Sequence, residues 1–182
     1  DGLVIGEPVI DELIDELIVE APFATGAQRD AVAALMRVVT GHRRRPLLLT
    51  ADRGRGKSAA IGIACAQLLQ LGKAGLVITA ASPAMAQTAM RHAQQLLPGC
   101  HRDNNEILWQ QRSIRFIAPD ILLADDTKID AVFVDEAAAL PVPVLTKLLH
   151  RFSRISFVST VHGYEGSGRG FSLRFVDVLR QK

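Results

Sequence analysis

The sequence predicts an α/β domain in three layers: a mainly parallel, five-stranded sheet with helices on both faces. Three observations predict it. Five short segments are almost continuously apolar instead of alternating, the mark of strands buried on both faces. Helix-like segments separate most of them, and this alternation is how parallel strands are connected. The length of 182 residues, with 48% hydrophobic and 22% charged residues, suits one domain with a substantial core.

The elements follow in chain order. In "VIDELIDELIVE" (9–20), Ile10, Leu13, Ile14, Leu17 and Ile18 fall on one helical face with acids opposite. Residues 1–20 hold seven acids and no base, so they read as a separate acidic amphipathic helix ahead of a domain at 21–182. Thr25 is placed to cap a second helix whose apolar face is Ala31, Val32, Leu35, Val38 and Val39, stopped by Gly41. After Arg43-Arg44-Arg45 and Pro46 comes the first strand, "LLLTA". The other strands are "LVITAAS" (76–82), "IRFIAP" (114–119), "AVFVDE" (131–136) and "ISFVSTV" (155–161). Helices are predicted over 57–71, ending at Gly72, over 83–97, with Ser82 as cap and Pro83 first, and over 141–152. The polar stretch 98–113 reads as a loop or hairpin, and "FSLRFVDVLRQK" as a last helix.

Composition narrows the function. Aromatics are only 5%, which disfavours an aromatic stacking platform for single-stranded nucleic acid. No apolar run is long enough to span a membrane, and no signal-peptide pattern is present. Cys65 and Cys100 form no C-x-x-C and lie near no paired histidines, so they read as reduced thiols of a cytoplasmic protein. The first residue is Asp1 and not Met, as expected of a piece of a longer chain. Although the net charge is only +2, residues 21–182 hold 21 basic and 12 acidic residues, a net +9. That charge suits phosphates or nucleic acid as well as an ordinary solvated surface.

Two stretches carry chemistry. "TADRGRGKSAAIG" (50–62) follows the first strand and opens a helix, the order a phosphate-binding loop requires. Gly54 and Gly56 let the backbone curl so that its N–H groups face phosphate oxygens, and the helix N-terminus adds partial positive charge. Lys57 would reach the β- and γ-phosphates of ATP or GTP, and Ser58 would hold Mg²⁺. The pattern G-x-x-x-x-G-K-[ST] has Ala51 in place of its first glycine, at a strand exit where a small residue suffices. The second stretch, "IDAVFVDEAAALP", ends a buried strand in Asp135-Glu136. A carboxylate there can hold the Mg²⁺ water shell, and the next can deprotonate an attacking water. In open α/β sheets ligands bind at the carboxyl ends of strands, where both stretches fall.

The pattern resembles known families. "ATGAQRDAV" resembles the glutamine motif of superfamily 1 helicases, "VITAASPAMAQ" their motif Ia and "VDEAA" their motif II. With "FVSTVHGYEGSGRGFSLRF" (157–175), the chain resembles, from about Gln28 to Phe175, the ATPase module of bacterial tRNA(Met) cytidine acetyltransferases. The resemblance implies the first RecA-like lobe of a P-loop NTPase. In that family a helicase-like ATPase is joined to an acetyltransferase domain that makes N4-acetylcytidine at the wobble position of elongator tRNA(Met), using acetyl-CoA. It implies that Gln28 contacts adenine; that Gly54, Arg55, Gly56, Lys57 and Ser58 bind phosphates and Mg²⁺; that Asp135 positions the metal; and that Glu136 is the base. Ser159 and Thr160 would sense the γ-phosphate, while His162, Tyr164, Glu165 and Arg169 are candidates for coupling or RNA contact. Nothing in the chain resembles the acetyltransferase domain or a second RecA-like lobe, so both are expected in cis, as is tRNA as partner.

Other readings compete. A superfamily 1 helicase lobe would look the same up to Glu136 but would lack the 157–175 stretch. A non-hydrolysing RNA-docking scaffold conflicts with intact Lys57, Ser58, Asp135 and Glu136. "GYEGSG" superficially resembles a pyrophosphate loop for acetyl-CoA, but Gly163 stands where Gln or Arg belongs. Met85, Met90 and Trp109 read as packing residues, and His92 and His101 lack partners at metal-ligand spacing.

Overall fold

The structure, a computed structural model, describes residues 26–42, 45–51, 56–160 and 174–181. In chain order these form α1 (Gly26–Thr40), β1 (Leu47–Ala51), α2 (Lys57–Gln70), β2 (Gly75–Thr79), α3 (Pro83–Gln95), β3 (His101–Arg102) and β4 (Glu106–Trp109). There follow β5 (Arg112–Phe116), α4 (Pro119–Ala124), β6 (Ala131–Val134), a 3₁₀ turn at Ala137–Ala139, α5 (Val142–Arg151), β7 (Ile155–Thr160) and a last helix, α6, over 174–180. The acidic stretch 9–20 and the cap at Thr25 lie outside the described residues.

The sheet order is β1-β7-β6-β2-β5-β4-β3. Its first five strands are parallel, and β4 and β3 add an antiparallel hairpin. The sheet therefore has seven strands where five were expected. The two extra strands form a hairpin in the polar stretch 98–113, one of the two readings of that stretch; β3 has two residues and β4 four, too short to read as strands of the sheet. Ile107 is the one fully buried β4 residue, facing Ile114 of β5. Helix α4 was also unanticipated; it is six residues long, with Leu122 as its only buried position.

The continuous apolar runs have a direct cause. Successive strand residues point to opposite faces, and both faces are covered. Leu76, Ile78, Phe133 and Val158 enter a core with α1, α2 and α3. Val77, Val132, Val134 and Phe157 enter a second core with α5 and Phe175 of α6. The Phe157 and Phe175 rings meet edge to face at 4.7 Å.

Helix α2 lies between α1 and α3 and is buried along almost its whole length. The approach to α3 is close. A Cβ on Gly62 would lie 2.1 Å from the Ala89 carbonyl oxygen, so this position admits no side chain without helix displacement. Ala86, Ala89 and Ala93 complete that contact from α3. Met90 is buried there, but Met85, expected in the core, is 39% exposed in the first turn. Ser82 and Pro83 begin the helix as expected, yet the Ser82 hydroxyl makes no capping bond. On α1 the buried face includes Ala33 and Met36 and leaves Val38 and Ala31 half-buried, a small rotation from the expected stripe. Cys65 is buried and Cys100 half-buried, both unpaired. No helix among the described residues is long and apolar enough to cross a membrane.

Candidate functional site

The strand order assembles the site. β7 lies between β1 and β6, so these three strands stand side by side, with Ser159-Thr160 ending β7 and Asp135-Glu136 following β6. Ala51 pairs with Thr160, and Val134 pairs with Phe157. The exit of β1, the end of β7 and Asp135 thus share one carboxyl edge.

At the β1 exit, residues 52–55 lie outside the described residues, and with them Gly54 and Arg55. The next residue, Gly56, has φ +70°, the left-handed region that glycine enters freely. Helix α2 begins at Lys57, and no side chain among the described residues caps it; the first amides of a helix lack intrahelical partners and suit an anion. Lys57 is 8% exposed, withdrawn from bulk water, and its charge acts on Asp135. Gln28 reaches this point from the first turn of α1; its Nε2 donates to the Gly56 carbonyl at 3.3 Å.

Opposite, β6 delivers Asp135, fully buried. Its backbone N–H donates to the Thr79 carbonyl at 2.9 Å, which prolongs the β2–β6 ladder by one bond. The Ser58 hydroxyl donates to Asp135 Oδ2 at 2.9 Å, across 77 positions of sequence. The Glu136 N–H donates to Asp135 Oδ1 at 2.9 Å. Burial pushes the Asp135 carboxyl up to about 6, and the Glu136 charge adds to this; the Ser58 and Glu136 hydrogen bonds and the Lys57 charge oppose it.

Glu136 turns the chain out of the strand with φ +46° and ψ +57°. For a residue with a Cβ this conformation costs about 1–2 kcal/mol. Local bonds hold it: the Glu136 carbonyl accepts from Ala139, and the Thr160 hydroxyl donates to Glu136 Oε1 at 2.7 Å. The Ala138 N–H donates to Ser159 Oγ at 3.3 Å. Ser159 and Thr160, both buried, therefore engage the Asp135–Glu136 turn.

The arrangement suits a hydrated divalent cation beside a phosphate. Ser58 and Asp135 converge as hard oxygen donors, and a cation there would favour ionised Asp135 against its burial. Among the described residues no cluster of three or more His, Cys, Asp or Glu could hold a metal by itself. An open groove of about 870 Å³, lined in part by Arg102, Asn105, Glu106 and Arg115, lies at the β3–β5 end of the sheet, away from these residues.

The structure thus brings together Gln28, Gly56, Lys57, Ser58, Asp135, Glu136, Ser159 and Thr160. His162, Tyr164, Glu165 and Arg169 lie outside the described residues. Sequence reasoning missed the Thr79 carbonyl as the anchor of Asp135 and the Thr160–Glu136 bond, because only the sheet order makes these residues neighbours.

The fold is that of a P-loop NTPase lobe. The ATPase domain of the large terminase of Thermus phage P74-26 superposes with a TM-score of 0.51 at 15% identity, covering 89% of this chain and 72% of that one. The large terminase of another, thermophilic bacteriophage superposes with a TM-score of 0.52 at 12% identity, covering 81% and 42%. Such likeness shows the fold alone. The particular family follows from sequence: the model described as RNA cytidine acetyltransferase NAT10/TcmA, helicase domain, matches residues 48–182. The tRNA(Met) cytidine acetyltransferase TmcA of Vibrio cholerae is 51% identical over 153 residues, 84% of this chain and 22% of that protein. That of Nitrosococcus halophilus is 48% identical over 158 residues, covering 87% and 21%. The chain belongs to this family, and it spans about a fifth of the length of these relatives.

Proposed function

We propose that residues 21–182 form the first RecA-like lobe of the helicase-like module of a cytoplasmic tRNA(Met) cytidine acetyltransferase, and that this lobe binds and hydrolyses ATP or GTP. In the whole protein, a second RecA-like lobe and an acetyltransferase domain would act in cis. Together they would use acetyl-CoA to make N4-acetylcytidine at the wobble position of elongator tRNA(Met). One observation carries the reading: the Ser58 hydroxyl and the Asp135 carboxylate meet at 2.9 Å, with Glu136 adjacent and buried Lys57 nearby.

The roles follow from position. The free amides of α2 and Lys57 receive the phosphates. Ser58 and Asp135 would hold Mg²⁺, which when bound neutralises phosphate charge. Glu136 is the base. Its Oε1 accepts the Thr160 hydrogen bond, which orients the carboxylate and leaves Oε2 to take a proton from water. Through the same bond, and through Ser159 on Ala138, the end of β7 communicates with the catalytic turn. The loop that follows, with His162, Tyr164, Glu165 and Arg169, would carry the response toward RNA.

The test is equilibrium ATP binding to the full-length protein, with and without Mg²⁺, for wild type and Lys57→Ala. Mg²⁺-dependent binding that the variant loses supports the reading. Equal binding by both proteins removes the phosphate loop from the account.

A further inference from the structure

The family resemblance directs Gln28 at an adenine ring, yet its carboxamide has a neighbour of another kind. Gln28 is only 5% exposed. Its Nε2 donates to the Gly56 carbonyl at 3.3 Å, and the same nitrogen would lie 2.6 Å from a Cβ built on Gly56. The carboxamide is therefore packed against the last loop residue before Lys57. It also holds the carbonyl of the residue whose left-handed backbone starts α2. That carbonyl accepts the Ala60 N–H at 2.9 Å as the first bond of the helix. A donor that fixes this peptide fixes the direction of the amides after it, and in the phosphate-loop reading those amides and Lys57 receive the phosphates.

We infer that Gln28 is a positioning residue that acts on the triphosphate through Gly56, so that it sets affinity for the phosphates and does not select the base. The inference rests on the phosphate-loop reading of residues 50–58. It ties α1 to the nucleotide site: any displacement of the first turn of α1 is felt at the Gly56 peptide. It also gives Gly56 two reasons to lack a side chain, its φ of +70° and the Gln28 amide against it.

Inorganic tripolyphosphate separates the two roles because it has no base. The measurement is calorimetric binding of Mg²⁺–tripolyphosphate, Mg²⁺–ATP and Mg²⁺–GTP to the full-length protein, as wild type, Gln28→Ala and Gln28→Met. Methionine keeps the length and packing of the side chain and deletes the donor. Loss of the hydrogen bond to the Gly56 carbonyl predicts that both variants bind all three ligands about five-fold more weakly, with the ATP-to-GTP ratio unchanged. Two results overturn the inference: variants that weaken ATP while tripolyphosphate binds as in wild type, and a Met variant equal to wild type, which would reduce Gln28 to a space-filling role. Wild-type protein that binds none of the three overturns the phosphate-loop reading and this inference with it.

Discussion

Asp135 should make the metal-free protein less stable than its own asparagine variant at neutral pH. The carboxyl is fully buried and is raised from the ordinary 3.8 to about 6, first by that burial. Between those values the folded state holds a proton that the unfolded chain has released, so folding stability falls as pH rises through this window. Above pH 6 both states are ionised and the whole cost is present. Integrated over the window, it amounts to about 3 kcal/mol. Asparagine escapes the cost without losing geometry. Its oxygen can accept the Glu136 N–H, and its amide can donate to Ser58 Oγ once that hydroxyl turns. Urea unfolding in EDTA should therefore show Asp135→Asn more stable than wild type by about 3 kcal/mol at pH 7.5 and by about half that at pH 5. The same variant should lose Mg²⁺-dependent nucleotide binding, a trade of stability for function. A gap that is constant with pH, or a variant weaker than wild type at pH 7.5, would refute the claim that burial holds this carboxyl in a costly state.

Other perturbations test the fold and the proposed role of the turn at Glu136. Gly62→Ala should destabilise the protein by about 1–3 kcal/mol even though alanine favours helix, because its Cβ would collide with the Ala89 carbonyl; an unchanged melting temperature would contradict the close α2–α3 contact. Glu136→Gln in the full-length protein should retain ATP affinity and lose hydrolysis by about 10²-fold or more, read as turnover at saturating ATP. Thr160→Val should lower kcat with little change in KM for ATP, since the hydroxyl contacts Glu136; a rise in KM alone would place Thr160 on the nucleotide instead.

Much of the domain was legible in the chain itself. Residues such as "AVFV" and "ISFV" are apolar at nearly every position, and a sheet covered on both faces is the arrangement that buries such runs. Of the stretch from Thr50 to Ser58 the structure describes Thr50, Ala51 and Gly56 to Ser58, and there a helix opens at Lys57 after a strand, as the spacing predicts. The stretch 98–113 reads only as a loop or hairpin, not as two strands of the sheet, because β3 is two residues long and the apolar run of β4, Ile107 to Trp109, is only three. What the sequence determined was local: which apolar segments are strands of the parallel sheet and which polar residues lie at or just beyond them, though the strands at 76–82 and 114–119 end three residues earlier than expected. Tertiary structure alone decided the sheet order, and with it that β7 separates β1 from β6. Hence Ser58 meets Asp135 across 77 positions and Thr160 meets Glu136 across 24. Such pairings depend on how two faces of apolar side chains pack together, a property of all the strands at once that no single segment encodes.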